Sequence, residues 1–162
     1  MEKFKMLVVD DEQDFLETIL KRLKARKIEV TGVESGYKAL EFLDAHDVDV
    51  TILDVKMPGM DGIETLREIK KKKPLAEVIM LTGHASVESG IQGMQLGAFD
   101  YVPKPGGTMS INIHEASKEI ISKVKAAADR DALAKIKKRM SKGFNINMVN
   151  NIFYEINCNY YQ

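Results

Sequence analysis

Short apolar runs alternate with segments whose apolar positions recur every three or four residues. Met6-Leu7-Val8-Val9 is unbroken, as a strand buried on both faces should be. Phe15, Leu16, Ile19, Leu20 and Leu23 follow at helical spacing. Ile28 and Val30 alternate with Glu29 and Thr31, which predicts a half-exposed edge strand. Ser35 stands where an N-cap should precede a helix turning Ala39, Leu40 and Leu43 inward. Val48 to Leu53 reads as a third strand. Pro58, Gly59 and Gly62 then break the chain. Asp61 and Glu64 have capping-box spacing and open a helix with Ile63, Leu66 and Ile69 on one face. Val78 to Leu81 is the fourth strand, Val87, Ile91 and Met94 mark a fourth helix that Gly97 ends, and Phe99 to Val102 is the fifth strand.

Strands alternating with helices through short connections predict a parallel sheet covered on both faces. Such sheets bind ligands beyond the carboxyl ends of their strands, where the strand order reverses. Asp10 and Asp11 follow the first run, Asp54 the third, Thr82 the fourth and Lys104 the fifth. All five side chains should therefore meet at one edge. Carboxylates this close repel strongly where water screens poorly, and a hard divalent cation would neutralise them. With a lysine and a hydroxyl ready for an anion, the set suits phosphoryl chemistry.

The rest of the chain is less regular. Ile113, Ala116, Ile120, Ile121 and Val124 predict a fifth helix, and Ala126-Ala127-Ala128 continues to favour one. Basic residues outnumber acidic ones from Lys118 to Lys142, Gly143 reads as a helix stop, and the segment to Gln162 is rich in Asn without periodicity. The expected division is a domain over residues 1–128 and an extension over residues 129–162. The extension should be helical to about residue 142, then irregular or disordered. Leu133, Ile136 and Met140 fall at helical spacing, so a homodimer through this tail is favoured over an unpaired tail.

With 162 residues and 44% hydrophobic content, the chain supports one ordinary domain plus this appendage. A formal net charge of zero points toward neither nucleic acid nor a membrane surface. Cys158 is the lone cysteine, so no disulfide can form within the chain. The N-terminal apolar run is too short for a signal peptide and no run reaches membrane-spanning length. A cytoplasmic protein is expected.

Five motifs stand in order: Asp10-Asp11, the loop from Asp54 through Met57-Pro58-Gly59-Met60-Asp61-Gly62, Leu81-Thr82-Gly83-His84, Gly97-Ala98-Phe99-Asp100-Tyr101, and Lys104-Pro105. Together they resemble the receiver domain of two-component response regulators, over about residues 4 to 125. The resemblance implies a flavodoxin-like, doubly wound five-stranded parallel sheet of order 2-1-3-4-5 with a C-terminal helical extension. It implies that Asp54 accepts a phosphoryl group from a histidine kinase. It implies Mg²⁺ held by Asp11, Asp54 and the Lys56 backbone carbonyl, with Asp10 acting mainly through a metal-bound water. Thr82 and Lys104 would hold phosphoryl oxygens, Tyr101 would be the aromatic switch, and His84 would lie on the rim, tuning dephosphorylation. A cis Lys104–Pro105 bond is implied as well. The turn Pro105-Gly106-Gly107 and the stretch from Thr108 to Ile113 are similar to the receiver of the chemotaxis methylesterase, whereas the earlier part resembles receivers of transcriptional regulators.

The function expected is a phosphorylation-dependent switch of a protein-interaction surface for an output protein or effector domain. It is not an enzyme beyond Mg²⁺-dependent self-phosphorylation and slow self-dephosphorylation. The alternative is a receiver fragment of a longer DNA-binding or methylesterase regulator. A haloacid-dehalogenase type of phosphotransferase is disfavoured: Asp54-Val55-Lys56 places lysine where that chemistry needs an acid. Blander readings compete at single positions. Asp10 and Asp11 could cap the first helix, Tyr101 could be edge-strand core, and Lys135 to Arg139 could be a solvated face, so nucleic-acid contact is not expected.

Overall fold

A computed structural model describes residues 5–83, 87–104, 122–135 and 138, with the backbone alone at Thr82, Val87 and Pro103. The strands are β1 (Lys5–Val9), β2 (Glu29–Val33), β3 (Val50–Asp54), β4 (Glu77–Thr82) and β5 (Asp100–Pro103). The helices between them are α1 (Gln13–Ala25), α2 (Gly36–Ala45), α3 (Gly62–Lys72) and α4 (Val87–Gln95). Residues 122–135 form a further helix, α5. All strand pairs are parallel and the order is β2-β1-β3-β4-β5, as expected.

Alternation along each strand builds two cores, because successive side chains leave opposite faces. Met6 and Val8, Ile52, and Ile79 and Leu81 pack with Phe15, Ile19 and Leu23 of α1 and Val124 and Ala127 of α5. Leu7 and Val9, Leu53, and Val78 and Met80 pack with Ala39 and Leu43 of α2 and Ile63, Leu66 and Ile69 of α3. The central strands are apolar throughout because both their faces are covered. β2 lies at an edge, with Val30 buried and Glu29 and Thr31 exposed, as its alternation requires.

Local signals at the helix starts hold. The Ser35 hydroxyl accepts the Lys38 N–H at 3.2 Å. Asp61 accepts from the Glu64 N–H at 2.8 Å while Glu64 accepts from the Asp61 N–H at 3.3 Å, a complete capping box. The bland reading of Asp10 and Asp11 does not hold: the N-cap of α1 is Glu12, with no side-chain cap bond.

α4 departs from its apolar pattern. Gly90 and Gly93 face inward, whereas Ile91 and Met94 are 53% and 45% exposed. Ile91 and Met94, expected inside by their spacing, therefore lie on the outer face of the helix. Gly93 packs where a Cβ would stand 3.4 Å from Met80 Cγ, so the helix sits close to the sheet.

α5 runs without a break past Ala128. Ala127 and Ala128 are buried. Beyond them Arg130 donates to both carboxylate oxygens of Glu77 at 2.8 and 2.6 Å and stacks over Phe99 at 4.7 Å. Lys135 pairs with Asp49 at 3.1 Å and with Asp131 at 2.6 Å. This helix is thus fastened to the amino ends of β3 and β4, opposite the acidic edge. Ile136, Met140 and the tail beyond Gly143 lie outside the described residues, as do His84 and the Lys104–Pro105 bond. Among the described residues, no helix is long and apolar enough to cross a membrane.

Candidate functional site

β1 and β3 are neighbours from which the chain departs in opposite directions across the sheet, so a crevice opens beyond their carboxyl ends. Val9 pairs with Leu53, which sets Asp10 beside Asp54. One carboxylate oxygen from each of Asp10, Asp11 and Asp54 lies within 4.8 Å of the others. Asp10 and Asp54 are buried, and Asp11 is the more open of the three.

The loop carrying Asp54 is held by backbone bonds. The Val55 N–H donates to Leu81 O and the Gly62 N–H donates to Val55 O, both at 2.9 Å. Gly62 is required there: a Cβ would stand 2.1 Å from Asp54 O. The capping box of α3 then fixes how the chain leaves the site.

Lys104 reaches back across β4 and β3. Its Nζ lies 3.0 Å from Asp10 Oδ1, 2.8 Å from Asp10 Oδ2 and 3.6 Å from Asp54 Oδ2, over the Phe15 ring at 4.7 Å. It also donates to Glu12 Oε1 at 3.0 Å. Asp10 Oδ1 additionally accepts the Glu12 N–H at 2.9 Å, whereas Asp10 Oδ2 forms no well-directed hydrogen bond. Thr82 closes β4 opposite Pro103, one residue past the Leu81–Asp54 pair. The expected set is thus brought together at one edge, with Thr82 placed there by its backbone.

Electrostatics follow from burial. Loss of water pushes the Asp54 carboxyl up to about 7, the charges of Asp10 and Asp11 push the same way, and Lys104 opposes them. Burial also raises Asp10, against its hydrogen bond from Lys104. Burial works to lower Lys104, but hydrogen bonds to Asp10 and Glu12 and the Asp54 charge carry it above its ordinary value. One cation among three carboxylates leaves excess negative charge. A hard divalent cation fits it, since Asp10 Oδ2 is buried without a well-directed hydrogen bond and the Asp10, Asp11 and Asp54 carboxylates converge within 4.8 Å.

The family profile of the response regulator receiver domain matches residues 6–118. The chain belongs to that family. It works as a receiver of two-component signal transduction, a domain that takes up a phosphoryl group and relays the signal. A protein-glutamate methylesterase/protein-glutamine glutaminase of Pyrococcus abyssi is 40% identical over 131 residues, covering 78% of this chain and 35% of that protein. The DNA-binding transcriptional regulator NtrC of Escherichia coli is 38% identical over 98 residues, covering 60% of this chain and 21% of that protein. The receiver therefore spans about a third or less of these curated relatives. The two resemblances noted along its length both appear. Among solved structures, response regulator protein TrrA of Thermotoga maritima in complex with Mg²⁺-BeF is 32% identical with a TM-score of 0.62, covering 74% of this chain and 98% of that one.

One site feature escaped the sequence. Glu12 bonds Lys104, yet nothing in its position distinguishes it from a surface acid. Tyr101 is 43% exposed, and its ring lies across Gly90 of α4. The missing side chain at Gly90 is a signal that could have shown where the ring rests.

Proposed function

We propose that Asp54 is the phosphoacceptor. The observation that carries the reading is the convergence of the Asp10, Asp11 and Asp54 carboxylates with Lys104 Nζ 3.6 Å from Asp54. An Asp54 oxygen attacks the phosphorus of a histidine kinase's phosphohistidine. The O–P bond forms as the P–N bond breaks, and the electron pair leaves with the imidazole nitrogen. Asp11, Asp54 and the Lys56 backbone carbonyl would hold Mg²⁺, with Asp10 acting through a water. When bound, Mg²⁺ supplies positive charge that offsets the carboxylates and the phosphoryl oxygens. Lys104 and the Thr82 hydroxyl would take the new phosphoryl oxygens, and His84 would tune dephosphorylation. The added charge of roughly −2 draws Thr82 inward, and Tyr101 follows from its outward position on α4.

Incubation with acetyl phosphate and Mg²⁺ should add one phosphoryl group by mass spectrometry, and EDTA should prevent it. Equal labelling of Asp54→Ala would overturn the assignment.

The partners in this reading are a histidine kinase and an output protein or effector domain, and the protein acts in the cytoplasm. A second reading, that the receiver is one piece of a methylesterase or DNA-binding regulator, is favoured by the greater length of its relatives. In either reading, residues 1–128 hold the phosphorylation chemistry, and residues 129–162 are an extension whose first turns are clasped to the sheet through Arg130 and Lys135 and whose remainder would serve self-association.

A further inference from the structure

Lys104 must serve the phosphoryl group, yet it is bonded away from the acceptor. An ammonium has three donors. Two are engaged, by Asp10 Oδ1 at 3.0 Å and Glu12 Oε1 at 3.0 Å, while Asp54 Oδ2 lies beyond hydrogen-bond range at 3.6 Å. The two holders differ. Asp10 is fully buried and cannot release the lysine without stranding a charge. The Glu12 side chain is 67% exposed while that of Lys104 is 6% exposed. Water can therefore replace Lys104 at Glu12 at little cost. Glu12 lies outside the group of carboxylates that can share a cation. Its side chain makes no cap bond to α1.

We infer that Glu12 is a positioning residue that holds Lys104 in reserve and is exchanged for a phosphoryl oxygen when Asp54 is modified. This role rests on Asp54 being the acceptor. Glu12 draws Lys104 toward the start of α1, and its charge opposes an incoming anion. Both effects slow capture of the phosphoryl group. The charge is lost and the hold on Lys104 weakens when the carboxylate becomes an amide, whose oxygen accepts only a neutral hydrogen bond.

The test uses the full chain with saturating Mg²⁺ and beryllofluoride, the phosphoryl mimic, followed by ¹⁹F NMR. Glu12→Gln should bind beryllofluoride about two- to fivefold more tightly, the scale of an exposed ion pair. Glu12→Asp keeps the charge but shortens the reach, and should move in the same direction. Mg²⁺ affinity, measured by calorimetry, should not rise in either variant, because neither adds negative charge near the site. A merely structural role would shift both affinities together or neither. Unchanged or weaker beryllofluoride binding in Glu12→Gln, with wild type binding normally, would overturn the role of Glu12 alone. Failure of the wild-type chain to bind beryllofluoride would overturn the reading of Asp54, and this inference with it.

Discussion

At the scale of single residues, the site is an electrostatic compromise. Asp54 is nearly buried, its carboxyl raised from 3.8 to about 7 by lost hydration and by Asp10 and Asp11. Between those values the native metal-free state keeps a proton that the unfolded chain has released. Stability from this group is therefore greatest below pH about 4 and falls as pH rises toward 7. Asp10 is raised too and adds in the same direction. Asp54→Asn should stabilise the metal-free receiver at pH 8 by on the order of 2–4 kcal/mol, and the gain should shrink toward zero near pH 4. Urea unfolding in EDTA across this range measures it. A gain independent of pH would mean that charge repulsion is not the cause. In wild type, Mg²⁺ should bind more tightly as pH rises through 7, since its ligands must be deprotonated.

At the scale of elements, α5 is the informative one. Helix propensity carries it through the alanines, and ion pairs carry it further than any apolar stripe would. Glu77 is 5% exposed at the amino end of β4, and Arg130 is its bidentate partner. Removing residues 129–162 would leave that carboxylate buried without its cation, at a cost of roughly 2–4 kcal/mol. Removing only residues 139–162 keeps Arg130, Asp131 and Lys135. The shorter truncation should melt like the full chain, and the longer one should melt lower by several degrees. Equal melting of the two in calorimetry would show that Arg130 contributes nothing net. α4 is the opposite case. Its two inward glycines weaken it by about 1 kcal/mol each relative to alanine, so it is held by the sheet more than by its own sequence.

Across the whole molecule, the two ends of the sheet do different work. The carboxyl ends hold the charge cluster, and the amino ends hold the α5 ion pairs. Ile91 and Met94 of α4 and Tyr101 of β5 are exposed on the strip where Tyr101 lies across Gly90, away from the clasp. A change at Asp54 has a short route to that strip, through Thr82 and its pair Pro103 at the end of β5. Beryllofluoride with Mg²⁺ should shift the backbone resonances of Thr82, Gly90 and Tyr101 in NMR and leave those of Arg130 and Glu77 nearly still. Shifts confined to residues 10–12 and 54–60 would show that no signal reaches the strip.

Periodicity, with the Gly and Pro breaks between runs, marked the first nine elements in chain order, because central parallel strands must be apolar on both faces and most of the helices on one; α4 is the exception. It also put Asp10, Asp11, Asp54, Thr82 and Lys104 at one edge, since a parallel sheet aligns all its carboxyl ends. Local chemistry settled the caps at Ser35 and Asp61, whose partners lie within one helical turn. The tertiary structure decided what depends on contacts distant in sequence. Ile91 and Met94 look like core by spacing, but α4 packs inward through Gly90 and Gly93, which leaves them on the outer face. Arg130 looks like part of a solvated basic run, but Glu77 and Phe99 meet it. Glu12 looks like a surface acid, but Lys104 arrives beside it from the far strand, a meeting that no periodicity encodes.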